Sequence, residues 1–221
     1  MVRIVNRNAD AELRDRSTAN TLFYVGLLFV VMVSTSYMLY YRTILLSITS
    51  VLLVVGIARV ALSRSFESFY PSRQSLWRQL FAATAYVSVI CWSGFELATL
   101  ALFGPSWTSY LVIIMTVGIA SGAVISLSPE LRIIRWCLYI LFIPTILVTA
   151  LSGREWATGL PLIHLAFFVF LLLLAERLNA QYWNALIDNV LLRERTIELK
   201  AAKEAAETAS VAKGVFLANM S

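Results

Sequence analysis

Six apolar runs, each about as long as a membrane-crossing helix of roughly 20 residues, constrain the fold of this chain more than any other feature. A helix of that length, rising about 1.5 Å per residue, crosses the hydrocarbon core of a bilayer. The composition agrees, because 59% of the residues are hydrophobic, only 14% are charged and the mean hydropathy is +0.77. The sequence therefore predicts an all-α membrane protein with transmembrane helices at Thr21–Tyr41, Thr43–Leu62, Leu80–Phe103, Ser109–Leu127, Ile133–Leu151 and Trp156–Ala175.

Lysine and arginine are distributed unequally between the two sides of these helices. With the N-terminus in the cytoplasm, only Arg42 and Arg154 lie outside and every other Lys and Arg lies inside. This is the excess of positive charge that cytoplasmic loops carry, so we predict a multi-pass protein with both termini in the cytoplasm. Residues 1–20 form a cytoplasmic segment and residues 21–175 the bundle. The basic residues are scattered between apolar runs, which favours membrane lipid over nucleic acid as the partner.

Two ionisable residues, Glu96 and His164, fall inside the predicted third and sixth helices, each roughly 10–12 Å below the outer surface. Such residues turn toward the bundle interior and find a partner there. One interpretation is a pocket in which Glu96 and His164 bind the polar head of a small amphipathic ligand, while Trp92, one turn from Glu96, contacts its body. The other is that the two side chains bond only to each other or to nearby hydroxyls. One His and one Glu are too few ligands for a metal site.

Two further features of the predicted bundle concern packing. Gly118 and Gly122 form a small-xxx-small ridge on the fourth helix, which favours packing inside the bundle, although the same ridge can join two copies. Arg59 lies about one turn from the cytoplasmic end of its helix, and we expect its side chain to extend to the lipid headgroups.

The chain becomes charged after the sixth predicted span without any Gly or Pro between Ala166 and Lys213. This pattern predicts one helix that continues into the cytoplasm, with residues 176–210 outside the membrane. A four-three spacing from Trp183 to Ala218 predicts a weak coiled-coil seam and hence a parallel homodimer. The seam residues are Trp183, Ile187, Val190, Glu194, Ile197, Ala201, Glu204, Thr208, Val211, Val215 and Ala218.

The stretch AKGVFLANMS resembles the approach to the phosphoacceptor helix of bacterial sensor histidine kinases. In that family a stretch of the form A-K-x-x-F-L-A-N-M-S precedes the His-Glu pair of the H-box. Gly214 and Val215 depart from the Ser-Glu that often occupies those two positions, and the preceding run KAAKEAAETAS is also similar to the family's approach segment. The matching residues are Ala212, Lys213, Phe216, Leu217, Ala218, Asn219, Met220 and Ser221.

The resemblance implies a two-component, ATP-dependent protein-histidine kinase of the bacterial inner membrane, with residues 211–221 at the start of its dimerisation and phosphoacceptor helix. The phosphorylated histidine is then expected directly after Ser221, followed by a catalytic domain that uses ATP and Mg and by phosphotransfer to a response regulator or receiver domain. This stretch contains no catalytic residue or cofactor site of its own. The resemblance also implies that the bundle senses a small amphipathic or membrane-borne signal and that residues 176–210 are its signalling helix.

The bundle also has the topology, though not the motifs, of quorum-sensing kinases that bind amphipathic hydroxyketones. Three functions other than a sensor kinase are open at this point. Six spans with a buried Glu and His also fit a transporter or channel, although no inverted repeat is evident. The spans can alternatively be a membrane anchor with no sensing role, or precede a different output such as a nucleotide cyclase.

Overall fold

A computed structural model describes residues 2–152 and 159–220, with the side chains of 7, 9–16, 23–152 and 159–208. Within these residues the chain is helical and contains no strand. It divides into two units, Met1–Asn179 and Ala180–Ser221, and the last helix contributes to both. The helices are α1 (Val2–Ser34), α2 (Tyr37–Tyr40), α3 (Arg42–Arg64), α4 (Phe66–Phe103), α5 (Trp107–Ser126), α6 (Leu131–Leu151) and α7 (Gly159–Met220).

Five of the described helices, α3 to α7, are long and apolar enough to cross a membrane, whereas the apolar part of α1 is the shorter segment Phe23–Ser34. Large apolar side chains point outward from the helices, with Leu151 on α6 83% and Leu39 on α2 77% exposed, while Glu96 and Thr116 are fully buried. A soluble monomer rarely exposes so much apolar surface. The apolar exterior and partly polar interior indicate a membrane-embedded all-α protein.

The first predicted span, Thr21–Tyr41, is not one continuous helix. Its backbone leaves the helical conformation at Thr35 and Ser36, between α1 and α2. The Thr35 hydroxyl donates to the carbonyl of Val31 at 2.6 Å and accepts from the backbone N–H of Tyr37 at 3.3 Å. Threonine and serine hydroxyls compete in this way for the groups that would extend a helix, and here they end it.

Helix α4 begins at Phe66, well before the predicted start of the third span at Leu80. The added part contains Pro71, and the backbone is non-helical at Arg73, with φ −144° and ψ 53°. The predicted loop is therefore mostly helical. It lies against the N-terminal part of α1, where the carboxylate of Asp10 accepts from the side chain of Arg78.

Helix α4 is the centre of the bundle and packs against α3, α5 and α6. Helix α1 packs against α3 and α5. Helix α7 lies on α6, where the rings of Phe142 and Phe168 are 6.1 Å apart between centroids. Trp77, Phe81, Trp92 and Phe95 from the buried side of α4 fill much of the core.

Arg59 does not extend to the headgroups as predicted. It is only 7% exposed, and its guanidinium carbon lies 4.6 Å from the centre of the Phe81 ring. The residue occupies the same face of α3 as Leu45, Leu52 and Gly56, which are also buried. Depth along a helix alone does not determine the face on which a residue lies, because each position turns by about 100°.

The Gly118 and Gly122 ridge faces open space within the described chain. No described atom other than the helix's own lies within 4 Å of a Cβ placed at either residue. The ridge therefore brings no described helix of this chain close to α5, although close approach is what such ridges permit.

Candidate functional site

Glu96 on α4 and His164 on α7 lie side by side inside the bundle. Glu96 Oε1 is 3.2 Å from His164 Nε2, and the two residues are 0% and 1% exposed. The sequence placed them at a similar depth, and the structure brings them into contact because α4 and α7 both pack against α6. The edge of the Phe142 ring on α6 faces the imidazole, with the centroids 6.0 Å apart.

A chain of hydrogen bonds continues from this pair to α5. Thr116 Oγ1 lies 2.9 Å from Glu96 Oε2, and Trp92 Nε1 donates to the same hydroxyl oxygen at 2.9 Å. On the other side, His164 Nδ1 lies 2.9 Å from the carbonyl oxygen of Leu160. We call these five residues the Glu96 cluster: Trp92, Glu96, Thr116, Leu160 and His164.

The hydrogen-bond partners restrict where protons can lie in the Glu96 cluster. The Leu160 carbonyl only accepts, so Nδ1 of His164 carries a hydrogen. One further proton then lies between His164 Nε2 and Glu96 Oε1, either on the imidazole as an ion pair or on the carboxyl as a neutral pair. Both forms carry no net charge, whereas adding or removing a proton would leave an uncompensated charge in the membrane, which is costly. The Glu96–His164 pair is therefore most stable with one proton shared between the two side chains.

The position of Trp92 differs from that of a ligand-contacting side chain. It lies one turn from Glu96, as predicted, but it is 0% exposed and its N–H is used by Thr116. Its ring packs edge-on against Tyr24 and Phe95, at centroid distances of 5.9 Å and 5.7 Å. Trp92 thus supports Glu96 through Thr116 and the core.

Sequence reasoning did not identify the roles of Thr116 and Leu160. Thr116 was recognisable only as one of many hydroxyl residues in the outer half of the bundle, and its part in the cluster depends on which face of α5 meets α4. The role of Leu160 is carried by a backbone carbonyl, which no side-chain pattern reveals. Its position four residues before His164, where a side chain can reach the preceding turn's carbonyl, was the available signal.

An apolar cavity of about 240 Å³ lies between α5 and α7, next to the Glu96 cluster. Among the residues that the structure describes, His164 is its one polar lining residue, and neither Glu96 nor Trp92 lines it. The predicted polar pocket is thus, in the structure, an apolar cavity with a single imidazole at its wall. The other lining residues are Ile113, Ile114, Val117, Ile163 and Phe167.

Other predicted functional residues lie outside this cluster. Helix α7 continues to Met220, but the side chains of Phe216 to Met220 and the whole of Ser221 lie outside the described residues. Within the described part of the chain, no three His, Cys, Asp or Glu residues converge in a way that could hold a metal ion.

Comparison with protein-family models, with curated proteins and with solved structures yields no significant match to this chain. The function therefore has to be argued from the motif at residues 212–221 and from the geometry of the bundle. The Glu96 cluster can share a proton, links α4 to α7 and borders an apolar cavity.

Proposed function

We propose that this chain is the membrane sensor and signalling helix of a bacterial two-component histidine kinase. The observation that carries the proposal is the A-K-x-x-F-L-A-N-M-S stretch at Ala212 to Ser221, which resembles the approach to the phosphoacceptor histidine. Its residues through Met220 belong to α7, an uninterrupted helix that begins at Gly159 and also carries His164. One helix thus includes both a member of the Glu96 cluster and the motif that precedes the kinase chemistry.

The proposed topology has six spans, with the apolar part of α1 as the first and both termini in the cytoplasm. Contacts among segments assigned to the cytoplasmic side support this topology. Arg7 on α1 pairs with Glu67 at the start of α4 at 3.0 Å. Asn179 on α7 donates to the carbonyl of Ser128, in the α5–α6 turn, at 2.7 Å.

The proposed signal is a small amphipathic molecule that places its apolar part in the cavity between α5 and α7. Its polar group would then meet His164, the single polar residue of the lining. Such a contact competes with Glu96 for the imidazole and changes the one bond that links α4 to α7 within the cluster. A ligand that binds one arrangement of this bond better than the other shifts the population of the bundle, and with it α7.

The proposed output is autophosphorylation of a histidine beyond Ser221 in a homodimer, using ATP and Mg, followed by transfer to a response regulator or receiver domain. Large apolar side chains are exposed on the Ala180–Ser221 unit, including Ile187 at 54% and Ile197 at 67%. Exposed apolar side chains add little stability to an isolated helix in water. Pairing of two copies along the predicted seam would bury both Ile187 and Ile197.

Phosphorylation of the full-length protein tests this proposal. The coding sequence after Ser221 is expected to continue with a His-Glu pair, and the protein in liposomes should incorporate label from radioactive ATP at that histidine. A His→Gln variant at that position is the control and should incorporate none. A continuation without this histidine, or equal labelling of the control, would exclude the kinase.

Two of the rival functions, transport and anchoring without sensing, give different results in the same liposomes. A transporter or channel predicts ion or solute flux through the bundle, and the kinase proposal predicts none above empty vesicles. An anchor without sensing predicts that regulation survives when 21–175 are exchanged for an unrelated dimerising helix, and the sensor proposal predicts that it is lost.

Leucine at Gly118 and Gly122 is expected to weaken the proposed homodimer without disturbing the fold. Both positions face open space, so the larger side chain has room in one copy but blocks close approach of a second. Chemical cross-linking in liposomes should therefore fall several-fold, about the effect of losing 1 kcal/mol. Gly94→Leu is the matched control, because that glycine on α4 also has open space around it. If the wild type, the leucine variant at Gly118 and Gly122 and the Gly94→Leu control cross-link equally, the dimer contact lies elsewhere.

A further inference from the structure

Arg59 on α3 is a buried cation for which the described chain supplies no counter-charge. The residue is 7% exposed, and its Nε is sealed from solvent without a hydrogen-bond partner. No hydrogen bond or ion pair of its other guanidinium nitrogens occurs in the part of the chain that the structure describes. Burying an unpaired charge in a membrane protein is costly, and such residues normally pair with another group.

The acidic side chains described in the bundle are mostly used elsewhere. Glu96 contacts His164 and Thr116. Glu130 is not among the groups that act electrostatically on Arg59, and the other described carboxylates of the bundle pair with other arginines. The face of the Phe81 ring attracts the Arg59 guanidinium, but a cation–π contact offsets only part of the desolvation of a buried charge. The other ion pairs are Asp10–Arg78, Glu12–Arg16, Asp15–Arg14, Glu67–Arg7, Glu67–Arg14 and Glu176–Arg135.

The other polar groups that act on Arg59 supply no negative charge. Tyr24 on α1 and Cys137 on α6 interact electrostatically with the guanidinium, but a phenol and a thiol are neutral at neutral pH. The buried Nε–H of Arg59 therefore has no anion to accept it among the described residues. An oxyanion would supply the missing charge, because a guanidinium fork fits two oxygens of a phosphate or carboxylate.

We propose that Arg59 is the main residue of an oxyanion-binding site inside the bundle. Arg59 lies five residues before Arg64, the end of α3, which is about 7.5 Å along the helix axis. That depth is just below the headgroups of the leaflet assigned to the cytoplasm, where anionic lipid is available to basic sites between helices. The ligand is the phosphate of an anionic phospholipid or a free phosphate ion. This site is independent of the Glu96 cluster and of the kinase proposal.

The site can be tested by measuring the thermal midpoint Tm of the full chain in neutral detergent. Phosphatidylglycerol or inorganic phosphate is added in increasing amounts. Phosphatidylglycerol is expected to raise Tm, and Arg59→Met should raise the concentration needed for half the shift at least about tenfold, the effect of losing a charge-assisted hydrogen bond. Met suits this test because an apolar residue of similar length often maintains stability in place of a buried charge. A shift with phosphate alone would identify a soluble ion as the source, and a shift with the lipid only would identify the headgroup.

Arg64→Gln is the matched control, because Arg64 is an exposed arginine on the same helix and should leave the titration unchanged. If Arg59→Met fails to give a monodisperse protein, Arg59→Lys keeps the charge and loses the fork, and the half-shift concentration should still rise. Equal titrations of wild type and the Arg59 variants would overturn the proposal. So would a wild-type Tm that neither phosphatidylglycerol nor phosphate changes.

Discussion

Replacing His164 with alanine is expected to lower the free energy of unfolding by about 3 kcal/mol, at the low end of the range for breaking a buried pair. The substitution leaves Glu96 fully buried with Oε1 unpartnered, while Oε2 keeps its bond to Thr116. The remaining carboxyl must then stay as an unpaired charge or take up a proton, and both alternatives destabilise the folded state. The effect can be measured by titrating the protein in mixed micelles with a denaturing detergent.

Two further variants separate the hydrogen bond from its side effects. His164→Leu fills most of the volume that alanine leaves empty, so a loss shared by both variants comes from the polar contact and not from a cavity. Glu96→Gln can still accept from Thr116 and donate an N–H to His164 Nε2. We therefore expect it to cost no more than about 1 kcal/mol. If His164→Ala also costs less than about 1 kcal/mol, the pair contributes no more than an ordinary hydrogen bond between membrane helices.

The same variants also test the proposed signalling role of the pair. Glu96→Gln keeps both hydrogen bonds, but its amide N–H proton cannot be transferred to His164 as a carboxyl proton can. A protein that folds normally and yet loses its response to the signal would therefore identify proton sharing, and not mere cohesion, as the function of the pair. Because both side chains are completely buried, we expect His164→Ala, unlike Glu96→Gln, to disturb folding as well.

The contact between Glu96 and His164 could be anticipated from the sequence because it depends on two quantities that sequence provides. One is depth, which follows from counting residues along apolar helices at a fixed rise. The other is the cost of an ionisable group in lipid, which forces each residue toward a partner. With only one histidine in the chain, few pairings were available.

The surroundings of the pair could not be predicted in the same way. Whether Arg59 faces lipid or core depends on the rotation of α3 about its axis, and an apolar helix has no polar face to set that rotation. The break at Thr35 depends on two hydroxyls bonding to the preceding turn rather than to water or another helix. Serine and threonine are common in membrane helices, and most of them here bond to a backbone carbonyl without ending the helix, as Thr49 does.

The N-terminal part of α1 is expected to detach from α4 when Asp10 is replaced by alanine. Asp10 is 4% exposed, its carboxylate accepts from Arg78 Nε at 2.8 Å, and the buried Tyr70 hydroxyl donates to the same oxygen. Hydrogen bonds to a charged group contribute about 1.5–3 kcal/mol each, and Tyr70 would be left without its partner. We expect a loss of about 3 kcal/mol in the local stability of this contact.

This loss should be seen as local opening rather than global unfolding, because the core around Trp92 lies farther along the bundle. Backbone amides of residues 7–16 are expected to exchange with deuterium about a hundredfold faster in Asp10→Ala, since each factor of ten corresponds to about 1.4 kcal/mol. Asp15→Ala is the matched control on the same helix, because its carboxylate is 64% exposed and pairs only at the surface with Arg14. Equal exchange in the two variants would mean that Asp10 does not anchor α1. Faster exchange in Asp10→Ala alone would establish that one buried carboxylate fixes the N-terminal helix against α4.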